Sequence, residues 1–261
     1  VVYGAVAVAR VALRGGGFFS AVRLVYLAMV VAAPIAVVVG AVVLGRGRGL
    51  TTGARVLVAM AAGAAAVGVY ATHLEPRWLR VDRIDVVTEM ATSDTIRLGV
   101  LADIQTPSVG SYERAAIDRL LEAEPDIIVI AGDVFQGSEE LFDREVDGFV
   151  ELMSRLSAPH GVFVVEGDVD RVAWLVEMTR GSEVEVLVDE IVELDVRGQT
   201  VRIGGSRLDW TSPESTAMRD ELVASAEPDD LTVLLARVRF DRGARPQADA
   251  TATGRVGLAD R

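Results

Sequence analysis

Three apolar runs in this chain end on an aspartate. They are LGVLAD, closing on Asp103, IIVIAGD, closing on Asp133, and VFVVEGD, closing on Asp168. Such a run reads as a buried strand. In open α/β sheets the C-terminal strand ends form the ligand crevice. Carboxylates gathered there repel one another unless a cation or a proton compensates. The chemistry on offer is an oxygen-rich metal site, and Gln105 adds one more oxygen donor of the kind Mg²⁺ or Ca²⁺ accepts. The blander alternative is three solvated aspartates capping turns or helix starts. The repeated Gly-Asp after an apolar strand favours shared site ancestry over present-day metal binding.

The elements that must position these residues alternate in type. Residues 96–103, 126–133 and 161–168 read as strands. YERAAIDRLLEAE (112–124) has apolar positions at helical spacing, and residues 139–156 form an acidic amphipathic helix. A further helix starts at 171, several β segments fill 183–205, a weaker helix spans 214–226, and LTVLLA (231–236) is again a strand. This is α/β organisation with part of its sheet antiparallel.

Composition narrows the chemistry. The chain has 261 residues, no Cys and two His. Disulfides, thiolate metal sites and Cys nucleophiles are excluded. All 26 basic residues are Arg, which removes Schiff-base chemistry and a phosphate-loop lysine. The formal charge of -12 opposes nucleic-acid binding.

The charge is unevenly spread. Residues 1–73 contain Arg10, Arg14, Arg23, Arg46, Arg48 and Arg55 and no acid, while all 38 acids follow His73. Between Arg23 and Arg46 lies the uncharged run LVYLAMVVAAPIAVVVGAVVLG, and a second apolar run lies between Arg55 and Glu75. Each is long enough to cross a bilayer core of roughly 30 Å. Pro34 is tolerable within such a span. Ala61 and Ala65 have the small-xxx-small spacing of close helix contacts. The sequence therefore divides into residues 1–20, membrane-proximal or the tail of an earlier span; a transmembrane helix, 21–45; a basic loop, 46–55; a transmembrane helix, 56–74; a linker and first strand, 75–95; and the α/β domain from 96 to 261. Trp78 and its neighbouring arginines suit a membrane interface. The loop arginines place the domain outside the cytoplasm by the positive-inside rule, although Arg10, Arg14 and Arg23 pull the other way. Neither end reads as a natural terminus: the start lacks Met and a signal-peptide pattern.

The segments LGVLADIQ (98–105), PDIIVIAGDVF (125–135), APHGVFVVEGDVD (158–170), LTVLLAR (231–237) and ADATATGRVG (248–257) carry a specific likeness. In order and spacing the domain resembles the calcineurin-like metallophosphoesterases, of the bacterial kind with an N-terminal membrane anchor. The resemblance implies a four-layered α/β/β/α sandwich, here preceded by a transmembrane helical hairpin. It also implies a two-metal centre that holds a phosphate ester and activates a bridging water.

Carried over position by position, the implied site is depleted. Asp103 and Asp133 stand at metal-binding aspartate positions. Gln105 replaces a metal-binding His, and Asp168 stands at the metal-binding Asn. Val169 replaces the catalytic His, which contacts phosphate or protonates the leaving group, and Asp170 is retained. Arg237 replaces a later metal His, and the closing GHxH motif reads Gly254, Arg255, Val256, Gly257. A transition-metal pair favours imidazole beside carboxylate, and Val169 transfers no proton. His160 is expected to be structural or at the surface, and His73 interfacial. Arg237 and Arg255 are candidates for ion pairs with Asp133 or Asp168, or for binding an anion without cleaving it. Family members continue beyond the closing motif, so the domain is expected to be incomplete at its C-terminus.

The sequence therefore leads to a membrane-anchored, catalytically degenerate phosphoesterase-fold protein, acting as a structural or anion-binding subunit. The alternative is a divergent metal-dependent hydrolase of phosphomonoesters or phosphodiesters. In the first case no cofactor is expected; in the second, Mg²⁺, Mn²⁺ or Ca²⁺ on Asp103, Gln105, Asp133 and Asp168. The expected partners are the lipid bilayer and other membrane-protein subunits, with no nucleic acid.

Overall fold

The computed structural model describes residues 25–45, 49–75, 78–86, 95–227 and 229–236, and the backbone of 255–258. The chain forms two units, divided between Arg80 and Val81.

The first unit is a helical hairpin. A π-helical segment, Ala28–Ala32, runs into α1 (Ala33–Gly45), and α2 (Thr52–Val69) runs into a second π-helical segment, Tyr70–Leu74. The second helix starts four residues before the expected 56, because the Thr51 hydroxyl caps it by accepting from Ala54 N–H at 3.3 Å. Both helices are long and apolar enough to cross a membrane. Their apolar side chains, Met29, Val39, Leu57 and Met60 among them, are exposed, whereas a core helix of a soluble fold buries such residues. The helices meet where Gly68 backs onto Val30: a Cβ on Gly68 would lie 2.4 Å from the Val30 carbonyl oxygen. That carbonyl lacks the usual helical amide donor four residues on, since that residue is Pro34.

The second unit is mixed α/β. Four parallel strands form one sheet in the order β1 (Leu98–Leu101), β2 (Ile127–Ile130), β3 (Val162–Val164), β4 (Val184–Val186). The crossovers carry α3 (Ser111–Leu121), α4 (Glu139–Met153) and α5 (Val172–Met178). A second sheet has the order β5 (Glu190–Val196), β6 (Gln199–Gly205), β7 (Leu231–Leu235), β8 (Arg255–Leu258), with only the β5–β6 pair antiparallel. The mixed topology expected from the sequence is present.

Strand periodicity divides the core in two. Ile128, Ile130, Val162 and Val164 face the helices, packing with Ile117, Phe142, Phe149, Leu152 and Leu175. Their alternates Ile127, Val129, Phe163 and Val165 face Val201, Ile203, Val233 and Leu235 of the second sheet. A strand buried on both faces carries no polar alternation, which is why β2 reads as a continuous apolar run. On the far side of the second sheet lies α6 (Pro213–Ala224), whose Met218 and Leu222 pack over Gly204. The strand-like alternation after Arg80 does not pair: residues 78–86 carry no regular structure. An exposed run without a partner strand has no ladder to join.

Candidate functional site

The loops after β1, β2 and β3 converge, and left-handed backbone marks them. Asp103, Gln105 and Asp133 have φ of 52°, 38° and 56°. Such values are uncommon outside glycine and persist where the surroundings hold them. Pairing of β1 with β2 continues past the strand ends: Gln105 N–H donates to the Asp133 carbonyl at 2.8 Å, and Thr106 N–H to the Val134 carbonyl at 3.3 Å.

The second and third loops touch backbone to backbone. A Cβ on Gly132 would lie 2.5 Å from Gly167 N, and one on Gly167 would lie 2.2 Å from Asp133 N. The glycine of each Gly-Asp pair is therefore required by close approach; Gly132 also has φ 78°. Across this contact each loop donates amides to the other's carboxyl. Val169 N–H donates to Asp133 Oδ1 at 3.1 Å. In return Asp170 accepts from Val134 N–H and Phe135 N–H, at 3.0 and 3.2 Å to Oδ1, and from Gly167 N–H of its own loop at 3.2 Å.

Asp133 is fully buried, so its oxygens need donors. Besides Val169 N–H it has the Gln105 carboxamide, whose Nε2 donates to Asp133 Oδ2 at 3.0 Å and reaches Asp103 Oδ1 at 3.4 Å. An amide assigned this way turns its N–H groups, not its carbonyl, toward the carboxylates. Asp103 and Asp168 are exposed at the rim. Burial pushes the Asp170 carboxyl up, three backbone amides pull it down, and the neighbouring Asp133 pushes it up again; it settles at about 6.

No family model matches the chain, and no curated protein matches it either.

The structure brings Asp103, Gln105 and Asp133 together and sets Val169 beside them through its backbone amide. Arg237 lies outside the described residues, and of Arg255 only the backbone, in β8, is described. His160 lies away from this cluster: its N–H bonds the carbonyl of Asp126, at the opposite end of β2 from Asp133. The side chain of His73 is outside the described residues.

With the Gln105 N–H groups turned to the acids, the cluster of Asp103, Gln105 and Asp133 offers a divalent cation two carboxylates. Among the described residues no group of three His, Cys, Asp or Glu side chains is placed to hold one. Each Asp133 oxygen accepts an N–H, Oδ1 from Val169 and Oδ2 from Gln105, and the Gln105 carbonyl is turned away from the acids while its N–H groups bridge them.

Sequence reasoning missed two buried carboxylates. Asp126 accepts from Arg97 N–H at 2.8 Å and from the Arg197 guanidinium. Burial alone would raise its carboxyl, but the Arg97 amide and Arg197 outweigh that and hold it below the usual value. Asp189 is likewise lowered: the Ser215 hydroxyl and Arg207 outweigh burial. The signal for Asp126 was present, an acid directly before an apolar strand. Asp189 had none short of the fold.

Proposed function

We propose that this chain is a membrane-anchored protein of the calcineurin-like phosphoesterase fold that no longer hydrolyses phosphate esters, and that it serves as a structural or anion-binding subunit with its α/β domain outside the cytoplasm. The observation that carries the reading is the Gln105 carboxamide between Asp103 and Asp133. Where hydrolysis would need a cation and a proton donor, the chain has an uncharged amide and Val169. The succession of helices, sheet, sheet and helix, with carboxylates at three parallel strand ends, supports the four-layered family fold. Two helices long and apolar enough to cross a membrane support the anchor.

One observation favours the divergent hydrolase: Asp103, Gln105 and Asp133 do converge, and all carry oxygen. The deciding assay is turnover of an aryl phosphate and an aryl phosphodiester by the detergent-solubilised full chain, under Mg²⁺, Mn²⁺ and Ca²⁺ titration. The expected result is no rate above that of Asp133→Ala under any ion. A metal-dependent rate that Asp133→Ala abolishes would overturn the proposal.

A further inference from the structure

We infer that the Gln105 side chain is a built-in stand-in for a cation: it cross-links the loop after β1 to the loop after β2 and keeps divalent ions from the carboxylates it bridges. This rests on the non-hydrolytic reading above.

Where one of two neighbouring carboxylates is buried, as Asp133 is, its charge needs a cation, a shared proton or directed N–H groups, while water can serve the exposed Asp103. A primary carboxamide is the smallest neutral side-chain group with two hydrogens on one nitrogen, so it can serve two acceptors at once. Gln105 does so, at 3.0 Å to Asp133 and 3.4 Å to Asp103. Its backbone pays for this with a φ of 38°. A glutamine holds that conformation only where its neighbours enforce it. Here the enforcement is local, since Gln105 N–H donates to the Asp133 carbonyl at 2.8 Å. Residue 105 is thus bonded to residue 133 by main chain and side chain together.

The chemistry of the replacement has two consequences. A tethered amide is not lost to chelators or dilution, so the loops stay joined whatever the metal supply. It also aims partial positive charge at one oxygen of each carboxylate, which opposes an incoming ion at the place where it would bridge the two. Glutamate at the same position would reverse both, removing the donors and adding a third carboxylate to the cluster, which is the donor set hard cations prefer. Gln105 is on this view a positioning residue rather than a catalytic one, since it acts through the two aspartates.

The test is thermal unfolding of the detergent-solubilised full chain, followed by tryptophan emission in EDTA and under Mn²⁺ or Ca²⁺ titration. Wild type is expected to unfold at one temperature throughout. Gln105→Glu is expected to unfold roughly 3–10 °C lower in EDTA, because a buried charge has lost its donor, and to be restored saturably by the ions. Gln105→Leu is expected to fall by a similar amount and gain little from them. A merely packing role for Gln105 would not produce rescue confined to the glutamate variant. Gln105→Glu that unfolds as wild type does in EDTA and ignores the ions overturns this inference alone. Wild type that is lowered by EDTA or raised saturably by Mn²⁺ overturns the metal-free reading on which it rests. If the glutamate variant does not fold, the cycle of Gln105→Leu with Asp103→Asn decides: less than additive losses support the cross-link, and additive losses refute it.

Discussion

Asp170→Asn should be more destabilising in mild acid than at neutral pH. Asp170 is 7% exposed and accepts from Val134, Phe135 and Gly167 amides. Its carboxyl titrates at about 6 in the folded chain, against an ordinary value of 3.8. The folded state therefore binds this proton more tightly than the unfolded state does. Ionisation costs folding stability, fully so above about pH 6, and the cost is relieved as pH falls from there toward 3.8. The full cost is about 3 kcal/mol, and about 2 kcal/mol of it is recovered between about pH 7.5 and pH 4.5. Asparagine does not titrate. Its carbonyl can keep the Val134 and Phe135 amides, but its NH₂ then confronts Gly167 N–H, a mismatch of about 1–3 kcal/mol. At neutral pH that loss and the removal of a buried charge largely offset each other. In acid only the loss remains, so the gap between wild type and variant should widen by about 2 kcal/mol as pH falls. The assay is urea unfolding of both proteins across this range, followed by tryptophan emission, to which Trp174 contributes beside Trp78 and Trp210. The Trp174 side chain packs edge-on to Phe135, at 5.4 Å between ring centroids, and reports the same neighbourhood. A gap that is flat from about pH 7.5 to 4.5 would refute the argument, because it would mean that Asp170 does not take up its proton on folding in that range.

Asp126 should show the opposite sign in a lower window. Its carboxyl is held below 3.8, so its contribution is present above that value and is lost as pH falls through the folded pKa. Asp126→Ala, which strands Arg97 N–H and unpairs Arg197, should cost about 1–3 kcal/mol at neutral pH in urea unfolding and flatten the acid limb of the wild-type curve; an unchanged acid limb would count against the pair. In the hairpin, Gly68→Leu should drive α1 and α2 apart at the Val30 carbonyl, which a Cβ would approach to 2.4 Å. Helix melting by circular dichroism in detergent should fall by several degrees, whereas Gly63→Leu, which meets nothing within 4 Å, should leave it unchanged; equal effects at the two glycines would remove the special role of this crossing.

What the sequence made legible follows from period and burial. The fully apolar run 127–130 reads as a buried strand, and the structure covers it with helices on one side and a sheet on the other. Helix α4 was readable because Phe142, Phe149, Leu152 and Met153 recur at helical spacing. The cap at Thr51 was equally local but lay outside the apolar window used to bound the span. The site was legible only as residue types. Nothing in the string ADIQ says that Gln105 has left-handed backbone or turns its amide toward a residue 28 positions away. Asp170 entered the sequence reading only through the family resemblance, yet its work is done for amides 35 and 36 positions earlier, a relation that exists only once two loops touch.

That touching also gives the acids at these strand ends a duty that needs no metal. Asp133 and Asp170 each serve the other's loop, and Gly132 and Gly167 permit the approach. Removing either carboxylate would leave backbone amides buried and unpaired, a cost independent of catalysis. A Cβ at either glycine would drive two main chains apart. Asp103 and Asp168, at the exposed rim, carry no such burden of burial. The positions of this cluster are therefore constrained in unequal degree by the fold alone. Val169 reaches Asp133 through its backbone amide, a bond that any residue other than proline can make. The aspartates that satisfy buried amides are held by the fold itself. Aspartates at these strand ends are thus poor evidence for hydrolysis, and the residues between them, above all the amide at 105, are the ones that discriminate.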